Sequence, residues 1–163
     1  MKQILSLTLL VLGFFGAFAQ EQQLSPKASA QGNGIEISYG QPSKRGRVIF
    51  GDLVPYGDVW RAGANEATEI TFKNNVTFGG KAVKAGTYTL FAIPKEKEWT
   101  IILNSKLDQW GAYDYEKNKS MNAAEVKVPV YHTDAVVEKL TYTVKADAIA
   151  LEWDKTGVSI PVK

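Results

Sequence analysis

The sequence predicts an all-β protein, a single β-sandwich or jelly-roll-like domain with two long loops. Three observations point there. Apolar and polar residues alternate with period two in one segment after another, the apolar positions are rich in β-branched and aromatic side chains, and turn-forming residues separate the segments.

The chain opens with something other than a strand. Lys2 supplies a positive charge, Ile4 to Phe15 forms an apolar run, and Ala17-Phe18-Ala19 matches a small-x-small cleavage site. That order of features predicts a signal peptide over residues 1–19 and a mature chain starting near Gln20. The run is too short and wrongly flanked for a spanning helix, and no cysteine follows to carry a lipid anchor. Nothing after residue 20 is long and apolar enough to cross a membrane. The expectation is export, and a soluble periplasmic or secreted protein after cleavage. Residues 20–163 fit one domain, long enough to bury roughly 70% of the unfolded surface. A chain without cysteine must hold that core by packing alone.

The strands follow in order. Ile35, Ile37 and Tyr39 alternate with Glu36 and Ser38, and Thr68, Ile70 and Phe72 alternate with Glu69 and Thr71. The run Tyr88 to Ile93 is almost continuously apolar, as a strand covered on both faces would be. Trp99, Ile101 and Leu103 come next, then Val126, Val128 and Val130, then Leu140, Tyr142 and Val144. Ile149, Leu151 and Trp153 precede a last set, Val158, Ile160 and Val162. Asn33-Gly34, Asn74-Asn75, Gly79-Gly80, Ala85-Gly86 and Lys155-Thr156-Gly157 supply turn residues. Ala146-Asp147 is short enough for a tight hairpin. Two stretches do not fit, residues 41–64 and 105–123. Connections of that length are uncommon and often functional; a short helix is expected around Leu53–Trp60 or Lys106–Trp110.

Several chemistries are disfavoured by composition. A formal charge of +2, of which Lys2 leaves with the signal peptide, offers no basic face for nucleic acid. With no cysteine and one histidine, His132, there is no thiol nucleophile and no Cys- or His-rich metal site. A Ser-His-Asp arrangement would have to use His132, but no G-x-S-x-G elbow occurs; an exposed place at a strand edge suits this histidine better. Asp108, Asp114 and Glu116 lack EF-hand spacing for calcium. No cofactor and no metal are predicted.

The two long connections carry the unusual residues. The first holds a basic cluster, Lys44, Arg45 and Arg47, then Tyr56, Asp58 and Trp60, and runs into Arg61, Gly63, Ala64, Asn65 and Glu66. The second interleaves Trp110, Tyr113 and Tyr115 with Asp108, Asp114 and Glu116. Aromatic faces beside carboxylates and amides suit a sugar, whose apolar face stacks while its polar rim is oriented. Trp60 and Trp110 would equally serve as plugs that anchor the loops. Arg61 and Glu66 have two readings as well, a bidentate brace across the Gly63-Ala64 turn or a grip on an anionic ligand. Asn65 would cap the turn with its side chain. A hydrolase is a third reading, with Glu66 paired to Asp58 or Asp114 at a separation that sets the stereochemical outcome.

A longer pattern runs through these residues. It comprises Arg47-x-Ile49-Phe50-Gly51, Leu53-Val54-Pro55-Tyr56-Gly57, Trp60-Arg61-x-Gly63-Ala64-Asn65-Glu66-Ala67-Thr68, Ala85-Gly86-Thr87-Tyr88-Thr89-Leu90-Phe91-x-Ile93-Pro94 and Trp110-Gly111-Ala112-Tyr113. In it the chain resembles the domain-of-unknown-function 2911 family, small exported proteins found mainly in Bacteroidota. The resemblance implies an all-β domain and a periplasmic or secreted location. It implies no reaction, substrate or cofactor, and transfers no catalytic residue.

The functional expectation is an exported cell-envelope protein that binds a glycan or small anionic ligand non-covalently. Trp60, Arg61, Asn65, Glu66, Trp110 and Tyr113 are the expected ligand-binding residues. The alternatives are an accessory or structural subunit of an envelope protein complex, and a carboxylate-dependent hydrolase.

Overall fold

The computed structural model describes residues 25–163, so the predicted signal peptide lies outside the described residues. Strands make up most of the described residues: β1 (Lys27–Gly32), β2 (Ile35–Gly40), β3 (Thr68–Phe72), β4 (Val76–Phe78), β5 (Lys81–Val83), β6 (Gly86–Ile93), β7 (Glu98–Asn104), β8 (Asn122–Val144) and β9 (Ala148–Pro161). Seven of them form one antiparallel sheet in the order β1-β2-β3-β6-β7-β8-β9, while β4 and β5 make a separate hairpin. The predicted all-β, sandwich-like class holds. Among the described residues no helix is long and apolar enough to cross a membrane.

The alternation read from the sequence decides which face is inside. In β2, Ile35, Ile37 and Tyr39 are buried while Glu36 and Ser38 are exposed, and β3 buries Thr68, Ile70 and Phe72 in the same way. The sheet then curls, so that its inner faces meet each other. Residues 122–129 of β8 pair with β7, and from Val130 onward β8 pairs with β9. Register shifts between His132 and Val137 and between Val137 and Thr141 break this hairpin, and Asp154 sits there in the left-handed region at φ 57°. Bulges of this kind bend a strand and sharpen its twist. The curl brings the far half of β8 onto residues 42–44, where Lys44 N–H donates to Glu138 O at 2.7 Å and Leu140 N–H to Pro42 O at 3.0 Å. Asn33 Nδ2 reaches Lys145 O at 2.9 Å and ties the β1–β2 turn to the β8–β9 turn.

The enclosed core holds an aromatic cluster in which Phe50 lies 4.8 Å from Trp99 and Trp60 lies 6.2 Å from Trp153, centroid to centroid. Strands β6 and β7 are buried on both faces, as the run Tyr88 to Ile93 predicted. Leu90, Ala92, Ile101 and Leu103 face this core, and Phe91 and Ile102 pack on the opposite side against Ala67 and Tyr115.

Four expectations change. The short helix is Tyr115–Asn118, followed by a 3-10 turn at Lys119–Met121, rather than at Lys106–Trp110. Residues 53–60 form no helix; Gly57 stands at φ 87°, and the backbone N–H groups of Gly57 and Trp60 bond instead to Pro94 O and Ala92 O near the end of β6. Lys155-Thr156-Gly157 is not a turn but lies inside β9. Glycine is needed there because the Tyr131 ring packs onto it, and a Cβ would fall 2.5 Å from Tyr131 Cζ. The apolar residues on either side of it thus belong to one strand, β9, and the two sets read around residues 126–130 and 140–144 are likewise joined in one strand, β8. Ala146-Asp147 is the expected two-residue turn, closed by Lys145 N–H to Ala148 O at 2.8 Å.

Candidate functional site

The two long connections meet. After Trp60, whose backbone exchanges hydrogen bonds of 2.7 and 2.9 Å with Ala92 of β6, the chain passes Ala62 and Asn65, both at positive φ. Glu66 then lies opposite Trp110 in an isolated antiparallel bridge. The bonds flanking it, Ala67 N–H to Gln109 O at 2.8 Å and Gly111 N–H to Asn65 O at 3.1 Å, make Glu66 and Trp110 a non-hydrogen-bonded pair. Side chains of such pairs stand close together on one face. A cleft opens on either side of this junction.

The first cleft, about 230 Å³, lies between the connections. Leu53, Pro55 and Val59 give it apolar walls, Asp58 supplies a carboxylate, and Trp60, Arg61 and Tyr113 complete the lining. Arg61 is half-buried and donates from Nη1 to Asn65 O at 2.9 Å. Its guanidinium carbon lies 6.0 Å from the centre of the Tyr113 ring, at the outer reach of a cation–π contact. Among the described residues it has no ion-pair partner. Trp60 is both a plug and a wall: its indole N–H bonds to Gly63 O at 3.2 Å and its ring stacks on Trp153, yet it also lines the cleft.

The second cleft, about 160 Å³, is lined by Lys27, Ser38, Glu66, Glu69, Asp108 and Gln109 together with Tyr39, Gly40 and Ala67. Here the predicted brace is corrected. Glu66 does not pair with Arg61, because the left-handed residues Ala62 and Asn65 turn the chain between them; its Oε1 lies 3.7 Å from Lys27 Nζ instead. Asn65 uses its side-chain N–H on Ser25 O at 3.0 Å.

The six expected ligand-binding residues therefore share one region but not one pocket. Trp60, Arg61 and Tyr113 face the first cleft and Glu66 the second. Trp110 is 53% exposed, across from Glu66, and Asn65 holds the turn between. The carboxylates are sorted in the same way. Asp58 and Glu66 line different clefts, Asp114 precedes the short helix, and the carboxylates that do share a cleft with Glu66 are Glu69 and Asp108. Among the described residues no three His, Cys, Asp or Glu side chains are grouped to hold a metal ion. The basic cluster is taken up structurally, with Lys44 paired to Asp154 at 2.9 Å and Arg47 donating to the carbonyls of Ser43 and Lys44. His132 is exposed, its Nδ1 3.1 Å from Lys155 O.

Sequence reasoning missed Lys27, Glu69 and Gln109. Lys27 lies on β1, whose small side chains give no strand signal. Glu69 is one of the polar positions in the alternation of β3, and nothing local marks Gln109. No curated protein and no solved structure matches the chain. A family model, that of the proteins of unknown function called DUF2911, matches residues 21–162, and the protein belongs to that family.

Proposed function

We propose that this is an exported cell-envelope protein that binds a glycan or small anionic ligand, non-covalently, in the cleft between its two long connections. One observation carries the reading: Arg61 stands half-buried in a concave, apolar-walled cleft without a carboxylate partner among the described residues. Guanidinium groups favour bidentate bonds to carboxylate or phosphate, and among the described residues this guanidinium donates to one protein acceptor, Asn65 O. Tyr113 offers a ring face for the C–H side of a pyranose, and Asp58 an acceptor for hydroxyls. A sugar acid combines all three features. The signal peptide read at residues 1–19 supports the location.

The test is calorimetric titration of the mature domain with glucuronate, acetate and glucose. Glucuronate is expected to bind most tightly, and Arg61→Ala to weaken it at least tenfold, about 1.4 kcal/mol, while the variant still melts cooperatively. Equal affinity for glucuronate and glucose, or an Arg61→Ala variant that binds like wild type, would overturn the proposal.

A second reading is favoured by the exposure of Leu53 at 44%, Trp110 at 53% and Tyr113 at 79%. Apolar side chains gathered at one end of a domain suit a protein partner, as an accessory subunit of an envelope complex would need. Co-purification of a partner that is lost on Leu53→Asp, with no uptake of any of the three small ligands, would favour this reading.

A further inference from the structure

We propose that Asn33 is a modification site at which the chain deamidates itself, with water as co-reactant, and that the change unties two turns. The site lies apart from the Arg61 cleft and does not depend on it. Asn33-Gly34 is the one Asn-Gly pair in the sequence. It forms the two-residue turn between β1 and β2, with both residues left-handed at φ 49° and 75°. Asn33 is exposed to water. Its Nδ2 donates to Lys145 O at 2.9 Å, so a single side-chain amide joins this turn to the one between β8 and β9.

The chemistry needs an amide carbon, an unhindered backbone nitrogen one residue on, and water. The Gly34 nitrogen, its proton taken by hydroxide, attacks Asn33 Cγ. The new N–Cγ bond closes a five-membered imide, the Cγ–Nδ2 bond breaks, and ammonia leaves. Water then opens the ring. Cleavage of the new N–Cγ bond gives aspartate, while cleavage between the Asn33 carbonyl carbon and the Gly34 nitrogen gives isoaspartate. Nothing is oxidised or reduced. Gly34 suits the step because no Cβ crowds its nitrogen, and its N–H makes no backbone hydrogen bond among the described residues. Every other asparagine of the chain is followed by a residue with a side chain.

The fold sets the pace. Closing the ring swings the side chain and breaks its bond to Lys145 O, so the reaction waits on local opening of the turn. The product cannot restore the tie. A carboxylate is an acceptor only, and it would face another acceptor, Lys145 O. Isoaspartate also adds a methylene to the backbone of a turn that fits its strands with two residues at positive φ. Clearance there is small: Gly32 lies opposite Ile35, and a Cβ on it would fall 3.3 Å from Val144 Cγ1. Strand β1 is the terminal strand of the sheet, paired with β2 alone among the described strands. It is therefore the strand with least to hold it once the amide is gone.

Peptide mapping by mass spectrometry of the mature protein, kept folded at mildly alkaline pH, tests the site. Conversion is expected at Asn33 before any other asparagine, with isoaspartate among the products. It is expected to run more slowly than in the same chain unfolded in urea, because the folded turn must first open. Asn33→Asp isolates the consequence, since aspartate tolerates the left-handed turn but has no N–H to donate. Its Ile35 amide is expected to exchange with deuterium about fivefold faster than in wild type, as the loss of about one hydrogen bond implies. Another asparagine converting first, an intact Asn33 after the unfolded chain has converted fully, equal rates in the folded and unfolded chains, or wild-type exchange in Asn33→Asp would each overturn the proposal.

Discussion

Arg61 and Glu66 are separated in space by the conformation of two residues between them. Ala62 at φ 53° and Asn65 at φ 63° are left-handed, and together they send the two charged side chains into different clefts. Gly40 makes this turn feasible: a Cβ on it would fall 2.0 Å from Ala64 O, so only glycine lets the end of β2 pass beneath the turn. The charges should then be energetically independent. Glu66→Ala is expected to change stability by less than about 0.5 kcal/mol, as exposed ion pairs usually do. Arg61→Ala removes a charge-assisted bond to a partly buried carbonyl and is expected to cost about 1–2 kcal/mol. In urea denaturation the double variant should match the sum of the singles. A coupling above about 0.5 kcal/mol would show that the two side chains interact after all.

The β8–β9 hairpin bends where two tyrosines are placed. Tyr131 lies over Gly157 and donates its hydroxyl to Glu152 Oε1 at 2.7 Å; Tyr142 is fully enclosed and donates to Ala62 O at 2.8 Å. Burial pushes both hydroxyls well above the ordinary tyrosine range, and for Tyr131 the adjacent carboxylate adds to the shift. The unfolded chain releases these protons near pH 10, whereas the folded chain keeps them to higher pH. Their contribution to stability is therefore complete below about pH 10 and is lost as pH rises from there toward the folded values. The urea midpoint is expected to fall with rising pH in this window, and to fall less steeply in a Tyr131→Phe, Tyr142→Phe double variant. Equal slopes in the two proteins would contradict the assignment.

Across the whole molecule, the sequence was most legible where alternation carried large side chains. β2, β3 and β7 could be read because isoleucine, phenylalanine and tryptophan mark their inner faces. β1 could not, since Ala28 and Ala30 bury too little to leave a pattern. The curl of β8 and β9 was hidden for another reason. A bulge shifts register without erasing the alternation on either side, so Thr156-Gly157 looked like a turn. The candidate site was legible as a composition and not as a geometry: Trp60, Arg61, Glu66, Trp110 and Tyr113 do gather, but backbone pairing between distant segments decides which cleft each one faces. One feature of the core extends to optics. Trp60 lines the Arg61 cleft and lies nearly parallel to Trp153, with planes 16° apart and centroids 6.2 Å apart. Indoles that close couple electronically, and Trp60 lies as near to Trp99, at 6.0 Å, so Trp60→Phe is expected to change the circular dichroism of the aromatic bands by more than the loss of one isolated indole would. A molecule entering the cleft and tilting Trp60 would alter that signal, giving the protein a built-in gauge of its own occupancy.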